Sequence, residues 1–226
     1  RGQPRFSSGS APIFIGVRMT KCMLYKNLNS PKIKNRPFFY TNFVSTLDGK
    51  VAVNRDGYWP IGSKTDYQVL IELRAYADCL IHGSNLAKEF GEITLKSLNK
   101  PKFKTLRKKL GKNPSLPYYI VTRSPKPYSH FVSGNVVVGD LQTVLKEKGY
   151  KHVLIEGGPT LLGSFLKENL IDEIFLTITP KIYGSESLTT KTLVEGILFP
   201  PNKIKKLKLL SVKKIGNEVF LRYRLF

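Results

Sequence analysis

The chain has 226 residues, of which 41% are hydrophobic and 11% aromatic, so it can form a sizeable core and wholesale disorder is excluded. No apolar run approaches the roughly 18 residues of a membrane-spanning helix, and no amphipathic basic helix is evident, so no membrane partner is expected. The two cysteines and three scattered histidines predict neither a disulfide framework nor a metal site, and Cys79 is predicted as a buried, inert thiol.

The formal net charge is +21, from 37 Lys and Arg residues against 16 Asp and Glu residues. Three acid-free stretches, 1–47, 93–139 and 203–214, hold eight, ten and six basic residues, and the rest of the chain is nearly neutral. Because unbalanced like charge repels itself, this pattern favours a polyanionic partner such as RNA or a ribonucleoprotein assembly. A lysine-preferring codon bias is the alternative, but it does not explain the missing acids.

Residues 1–36 are predicted as a basic N-terminal extension and residues 37–226 as one domain. The first ten residues are rich in Arg and Ser and contain no acid, which is typical of the chain beside the cleavage site of an organellar transit peptide. This favours an organellar location, with a mitochondrion preferred over a plastid. The alternative is a cloning remnant, which would leave a cytoplasmic protein.

From Pro37 onwards the pattern alternates between strands and helices. A capping-box-like Ser63-Lys-Thr-Asp66 predicts a helix start, and Gly216-Asn217 predicts a two-residue hairpin turn. The other predicted helices are Leu141–Lys148 and the segment after Thr160, and the predicted strands are Phe38–Val44, Cys79–Ile81, Tyr118–Thr122, Val136–Val138, His152–Ile155, Ile174–Thr179, Leu207–Ile215 and Glu218–Phe226. The sequence predicts an α/β fold, a mostly parallel sheet with flanking helices and a C-terminal antiparallel hairpin. The basic segment near residue 100 is predicted as a loop region.

Three features of this pattern carry chemistry. Glu156-Gly-Gly-Pro-Thr160 links a strand to a helix, where glycines let the backbone approach a ligand and the helix N-terminus offers N–H groups to a phosphate. Asp48 follows the first core strand at a ligand-binding position of open α/β sheets. Arg74 is a lone cation in an apolar stretch, either an anion ligand or a side chain extending to solvent. For the first two segments the alternative is a simple turn.

Together, four blocks resemble the pyrimidine reductases of riboflavin biosynthesis, the RibD C-terminal family. The blocks are Thr41-Asn-Phe-Val-Ser-Thr-Leu-Asp-Gly-Lys50, Leu73-Arg-Ala-Tyr-Ala-Asp78 with Ile81-His-Gly83, Leu154-Ile-Glu-Gly-Gly-Pro-Thr-Leu-Leu-Gly-Ser-Phe-Leu166, and Leu170-Ile-Asp-Glu173 with Pro180-Lys-Ile-Tyr-Gly184. Asn42 makes the chain more similar to the stand-alone archaeal type than to the bacterial type.

The resemblance implies a dihydrofolate-reductase-like fold, NADPH as the hydride donor and a homodimer if the protein is a free enzyme. The implied substrate is a pyrimidine nucleotide, 5-amino-6-(5-phosphoribosylamino)uracil or 2,5-diamino-6-ribosylamino-pyrimidinone phosphate. Hydride delivery to C1′ of the ring-opened imine would convert its ribose to a ribityl chain, the cofactor supplying the hydride and the protein the orientation.

The resemblance also implies roles for individual residues. Arg74 and Glu156 would contact substrate, with Lys96 as a replacement phosphate cation, and Asp48 is the candidate catalytic carboxylate for a proton relay. Arg123 would bind the 2′-phosphate of NADPH. The remaining cofactor-binding candidates are Val44, Trp59, Gly83, Gly158, Pro159, Thr160, Leu161, Leu162 and Gly163.

The chain departs from the family pattern at ligand positions. Leu86 stands where a Thr is usual, Phe90–Ser97 replaces a run with paired Asp, Pro and Arg, and Gly57 lies near an expected Ser. These departures leave open an alternative, a reductase-derived pseudoenzyme acting as a basic structural, RNA-binding subunit of a mitochondrial ribosome. Its candidate RNA contacts are Lys100, Lys102, Lys104, Arg107, Lys108, Lys109 and Lys112.

Overall fold

The computed structural model describes residues 23–25, 28, 30–54, 59–123, 136–137, 141–186 and 189–226. The first 22 residues of the predicted extension, Gly57 and Val138 lie outside this described part of the chain.

The helices are α1 (Lys64–Tyr76), α2 (Ser84–Leu98), α3 (Pro101–Lys109), α4 (Leu141–Glu147) and α5 (Pro159–Lys167), and Pro201–Lys203 forms a short 3₁₀ turn. The strands are β1 (Phe38–Thr46), β2 (Ala52–Val53), β3 (Cys79–Gly83), β4 (Tyr118–Val121), β5 (Val136–Val137), β6 (His152–Glu156), β7 (Glu173–Thr179), β8 (Thr190–Lys191), β9 (Leu207–Ile215) and β10 (Glu218–Leu225).

Eight of these strands form one sheet, in the order β5-β4-β3-β6-β1-β7-β10-β9. The strands from β5 to β7 run parallel, with β1 in the middle between β6 and β7. The hairpin of β9 and β10 closes one edge and pairs antiparallel with β7. A separate antiparallel pair joins β2 to β8. The predicted fold class, a mostly parallel sheet with a C-terminal antiparallel hairpin, is confirmed.

Successive side chains of a strand point to opposite faces of the sheet. Both faces of this sheet carry apolar side chains, and helices cover each of them. Phe38 and Tyr40 of β1 face the core beneath α1, α2 and α3, whereas Phe39 faces the core beneath α4 and α5. Cys79 is fully buried in this second core, as predicted, and burial raises the pKa of its thiol well above the ordinary value. The buried central strands explain why β1, β3 and β6 read as near-continuous apolar runs.

Helix α1 is fixed at both ends. The hydroxyl of Ser63 caps its N-terminus, accepting hydrogen bonds from the backbone N–H groups of Thr65 at 3.0 Å and Asp66 at 3.2 Å. At its C-terminus, Nη1 of Arg107 on α3 donates to the carbonyl of Ala77 at 2.7 Å. It also donates to the carbonyls of Arg74 at 3.3 Å and Ala75 at 3.1 Å. Arg107 therefore satisfies carbonyl groups that the end of a helix leaves unpaired.

This arrangement corrects the assignment of Arg107 as an RNA contact. Its side chain is 1% exposed, and Nε donates to the carbonyl of Asn113 at 2.6 Å. A guanidinium enclosed in this way cannot reach a phosphate on the surface. Arg107 is a structural residue that joins α3 to α1.

Helix α3 lies where the sequence predicts a loop region, and α2 lies just before it, where the sequence predicts no helix. The buried residues of α2 are mostly small or polar, whereas its larger apolar residues Phe90 and Ile93 are exposed. Helix α3 begins with Pro101, a residue suited to the first turn, and buries only Phe103 and Arg107 among its lysines. Both helices pack on the core beneath α1 through a few apolar residues, including Leu98 of α2 and Phe103 of α3.

Part of the predicted N-terminal extension packs into the domain. The carboxylate of Glu72 on α1 accepts hydrogen bonds from the backbone N–H groups of Leu24 at 2.7 Å and Tyr25 at 2.5 Å. The Tyr25 ring is 5% exposed and meets Phe175 edge to face, with centroids 4.9 Å apart. Lys213 of β9 lies over the same ring. The core beneath α1 thus includes residues that precede the predicted domain boundary.

Candidate active site

The carboxyl ends of β1, β3 and β6 lie at one edge of the sheet because these strands are parallel. Helices α2 and α5 begin at the same edge, directly after β3 and shortly after β6. Their N-cap residues are Gly83 and Gly158, and neither has a side chain that caps the helix. Two helix N-termini therefore present backbone N–H groups at neighbouring positions, in the crevice where open α/β sheets bind ligands.

The glycines at this edge have different surroundings. A Cβ atom on Gly157 would lie 2.5 Å from Cδ2 of Leu161, and one on Gly83 would lie 2.9 Å from the same atom. A Cβ atom on Gly158 would meet nothing within 4 Å. The Leu161 side chain thus fills the space between two turns, whereas the space in front of Gly158 is open. The open space lies before a helix N-terminus, which favours negative charge such as that of a phosphate group.

Arg74 and Glu156, predicted from separate parts of the sequence, form a buried ion pair. Nε of Arg74 donates to Oε1 of Glu156 at 2.7 Å, and Nη2 donates to Oε2 at 2.6 Å. Both residues are buried, so the alternative in which Arg74 extends to solvent is wrong. Burial by itself would raise the pKa of Glu156, but the Arg74 guanidinium and the hydrogen bond from His82 lower it to about 2. The carboxylate is therefore ionised at neutral pH.

Three residues that the sequence does not single out surround this pair. Nε2 of His82 lies 2.9 Å from Oε2 of Glu156, and the Tyr118 hydroxyl lies 3.0 Å from Nδ1 of His82. Thr94 of α2 lies 3.5 Å from Nη2 of Arg74. The sequence does contain a signal for two of them, namely a polar residue within an apolar strand. His82 follows Leu80 and Ile81, and Tyr118 shares its strand with Ile120. A buried histidine in a core strand requires polar partners.

Asp48 lies in the turn after β1 and binds the segment after β7. Its carboxylate accepts hydrogen bonds from the Thr46 hydroxyl at 2.5 Å and from the backbone N–H groups of Tyr183 at 3.3 Å and Gly184 at 2.8 Å. The Thr46 hydrogen bond, followed by those from the backbone, lowers the pKa of Asp48. An ionised carboxylate with these partners fixes two loops together, and its role in a proton relay stays a prediction.

The other predicted cofactor and substrate residues fall into three groups. Val44 and Trp59 lie near the carboxyl end of β1, with the Trp59 ring 5.8 Å from that of Tyr183. Arg123 is exposed just after β4, and Lys96 is exposed on α2. The remaining candidates belong to the first turns of α5, where Thr160 is exposed and Pro159 is buried.

Two of the α5 candidates face the interior of the protein. Leu162 is buried in the core beneath α4 and α5. A Cβ atom on Gly163 would lie 2.6 Å from the carbonyl oxygen of Glu195, so this glycine allows close packing of α5 against a loop. The side-chain positions of Leu162 and Gly163 therefore serve packing.

Four of the seven candidate RNA contacts are exposed lysines at positions 100, 102, 108 and 109. Lys104 is half-buried, and Lys112 donates to Oδ1 of Asp78 at 2.7 Å. Within the described residues no three His, Cys, Asp or Glu side chains could hold a metal ion, and no described helix is long and apolar enough to cross a membrane.

Two curated archaeal reductases are similar to this chain over most of its length. The 2,5-diamino-6-ribosylamino-4(3H)-pyrimidinone 5′-phosphate reductase of Archaeoglobus fulgidus is 24% identical over 216 residues, which cover 80% of this chain and 94% of that protein. The reductase of the same name from Methanothermobacter thermautotrophicus is 27% identical over 83% of this chain and 98% of its own length.

Solved structures show the same fold. A pyrimidine reductase-like protein of Corynebacterium diphtheriae superposes with a TM-score of 0.63 at 20% identity, covering 85% of this chain and 93% of that one. Dihydrofolate reductase of Enterococcus faecalis, complexed with NADP(H), gives a TM-score of 0.52 at 12% identity, covering 86% and 99% of the two chains. The family model described as the RibD C-terminal domain matches residues 37–221. This chain belongs to the RibD C-terminal domain family.

Proposed function

We propose that this protein is an NADPH-dependent reductase of a ribosylaminopyrimidine phosphate in riboflavin biosynthesis. The observation that carries the proposal is the buried, ionised Arg74–Glu156 pair beside two helix N-termini without side-chain caps. The names of the two archaeal relatives support the substrate class, and NADP(H) bound to a protein of the same fold supports the cofactor.

The chain's own residues fit NADPH at this edge of the sheet. The backbone at Gly158 and Thr160 would hold the cofactor's diphosphate, since the space before Gly158 is open and helix N-termini attract anions. Arg123, exposed after β4, would bind the 2′-phosphate, and Val44 and Trp59 would lie along the cofactor. When bound, NADPH supplies a hydride.

The substrate would be oriented by Arg74 and Glu156. The Glu156 carboxylate can accept a hydrogen bond from an N–H or O–H group of a substrate bound beside it. Both residues are held rigid by burial, so the orienting groups need no reorganisation when substrate binds. The protein's part in the reaction is thus to position C1′ of the opened ribose and to exclude water.

Turnover with a defined substrate tests this proposal. Purified protein is mixed with NADPH and either 5-amino-6-(5-phosphoribosylamino)uracil or 2,5-diamino-6-ribosylamino-pyrimidinone phosphate. The absorbance of reduced nicotinamide is then followed. We expect substrate-dependent oxidation of NADPH with one of them. Absence of both turnover and NADPH binding would contradict the proposal, and RNA binding by the same inactive protein would favour the pseudoenzyme alternative.

The Gly158→Asp variant tests where the cofactor binds. Gly158 has φ −75° and ψ 171°, a conformation open to any residue, and a new side chain meets no neighbouring atom at Cβ. Aspartate is a good N-cap, so the fold should be retained, but its charge would repel the diphosphate. We expect NADPH binding, measured by fluorescence titration, to weaken roughly tenfold or more.

Gly158→Asn is the matched control, because asparagine caps a helix equally well without the charge. It should lose far less affinity than Gly158→Asp. Equal affinities of both variants and the wild type would place the diphosphate elsewhere.

A further inference from the structure

A chain of hydrogen bonds leads from the ion pair into the interior of the protein. His82 on β3 is fully buried, and its Nε2 lies 2.9 Å from Oε2 of Glu156. On its other side, Nδ1 lies 3.0 Å from the hydroxyl of Tyr118 on the neighbouring strand β4. The two rings also meet edge to face, with centroids 4.9 Å apart. Because the carboxylate of Glu156 only accepts, Nε2 must carry a proton.

The two oxygens of Glu156 are used unequally. In the described part of the chain, Oε2 accepts two hydrogen bonds, from Nη2 of Arg74 at 2.6 Å and from His82 at 2.9 Å. Oε1 accepts one, from Nε of Arg74 at 2.7 Å. Since a carboxylate oxygen has two lone pairs, Oε2 is saturated and Oε1 keeps the capacity to accept one more hydrogen bond.

We propose that His82 and Tyr118 are positioning residues that fix the Glu156 carboxylate so that Oε1 receives an N–H or O–H donor of the pyrimidine substrate. This inference rests on the proposed reductase function and deepens it. Tyr118 holds the imidazole in place, and His82 occupies the second lone pair of Oε2.

The alternative is that both residues only fill the core. The two roles predict different kinetics, because a hydrogen bond to substrate that is equally strong in the ground state and the transition state affects KM and leaves kcat unchanged. A purely structural loss would instead lower the amount of folded protein and the NADPH affinity together. Only the positioning role makes the effect of a His82 substitution on KM depend on the presence of the Glu156 carboxylate.

The first set of variants measures KM for the pyrimidine. His82→Leu keeps a similar volume but removes the donor to Oε2, and we expect KM to rise about tenfold with kcat nearly unchanged. His82→Gln retains an N–H donor and should restore KM to within about threefold of wild type. Tyr118→Phe should raise KM by a smaller factor, about threefold. NADPH affinity and the midpoint of thermal unfolding are measured alongside.

Tyr119→Phe is the matched control. Tyr119 is the next residue of the same strand, it faces the opposite side of the sheet, and its hydroxyl lies 3.2 Å from that of Tyr150. Loss of this hydroxyl should leave KM at the wild-type value. A comparable rise in KM would show that any lost hydroxyl in β4 acts through the fold, which would overturn the inference.

A double-mutant cycle with Glu156→Gln decides between the two roles. If His82 acts through the carboxylate, His82→Leu adds little to the KM of Glu156→Gln. Full additivity of the two effects would overturn the inference, as would an active His82→Leu protein with wild-type KM. A wild-type protein that reduces neither pyrimidine overturns the proposed function and this inference with it. The two failures are therefore distinguishable.

Discussion

Asp66 is an ionisable residue in an unfavourable position. It is buried at the first turn of α1, and its Oδ1 has no hydrogen-bond partner among the described residues. Desolvation, assisted by the nearby charge of Glu218, raises its pKa to about 6. A helix N-terminus ordinarily stabilises an aspartate, but here burial outweighs that contribution. The ionised carboxyl therefore reduces stability at neutral pH.

Replacing Asp66 with Asn should stabilise the protein at pH 7. Because the folded-state pKa is raised, the stability that the protonated carboxyl contributes is fully present below about pH 4 and is lost as the pH rises through about 6. We expect a gain of about 1–3 kcal/mol in the free energy of unfolding at pH 7 and almost none at pH 3.5, measured by urea denaturation. Glu168→Gln, at an exposed carboxyl, is the control. An equal gain at both pH values would contradict this account.

At the scale of residues, the sequence identified Arg74 and Glu156 as site residues, but it predicted neither the ion pair between them nor the residues around it. Arg74 was found as a lone cation in an apolar stretch, and Glu156 as the first residue of the Glu-Gly-Gly-Pro-Thr turn. His82 and Tyr118 were not, because a single polar residue in an apolar strand does not reveal its partner on another strand. Their roles depend on the parallel register that brings His82 beside Glu156 and Ile120.

At the scale of elements, α1 connects most of the structure. Its N-cap Ser63 also donates to the carboxylate of Glu218 on β10 at 2.6 Å, its Glu72 binds the N-terminal segment, and Arg107 holds its last turn. The capping motif of α1 could be predicted from local sequence. Its C-terminal partner could not, since Arg107 lies in a lysine-rich stretch where nothing distinguishes one cation from the next.

Replacing Arg107 with Met should cost about 2–4 kcal/mol of stability. Methionine occupies similar volume but leaves the carbonyls of Ala75 and Ala77 buried without this donor. Lys108→Met removes an exposed charge from the adjacent position and should change stability by less than about 0.5 kcal/mol. The comparison is made by chemical denaturation at fixed salt. Similar losses in both variants would show that net charge, not the hydrogen bonds of Arg107, is responsible.

At the scale of the whole molecule, the described parts of the second and third basic stretches belong to the reductase-like domain. Residues 100–112 include helix α3 and the residues that directly follow it. Residues 207–214 lie in the edge strand β9, where Lys208 is opposite Arg224 of β10. The sequence predicted β9 as a strand despite its lysines, but it did not predict that the lysine-rich stretch near residue 100 forms a helix, because the charged residues conceal the few residues that pack. Much of the basic charge of these two stretches therefore lies on the surface of the domain itself.

Reducing this charge should stabilise the fold at low salt. Like charges repel within a compact domain, and Lys208 and Lys214 are exposed on β9. The double variant Lys208→Glu with Lys214→Glu lowers the net charge by four units and should raise the free energy of unfolding by about 1 kcal/mol in low salt. The gain should shrink near 1 M salt because of screening. Replacing both lysines with Arg keeps the charge and should give no gain; a salt-independent gain would contradict the explanation.

The side chain of Leu161 has a consequence for variation among homologous sequences. Because it touches the positions where both Gly83 and Gly157 would carry a Cβ, the starts of α2 and α5 share one packing contact. A larger residue at either glycine requires the Leu161 side chain to move, and a smaller residue at position 161 would relieve the contact. We therefore expect positions 83, 157 and 161, which lie in two distant segments of the chain, to change together in an alignment of homologous sequences.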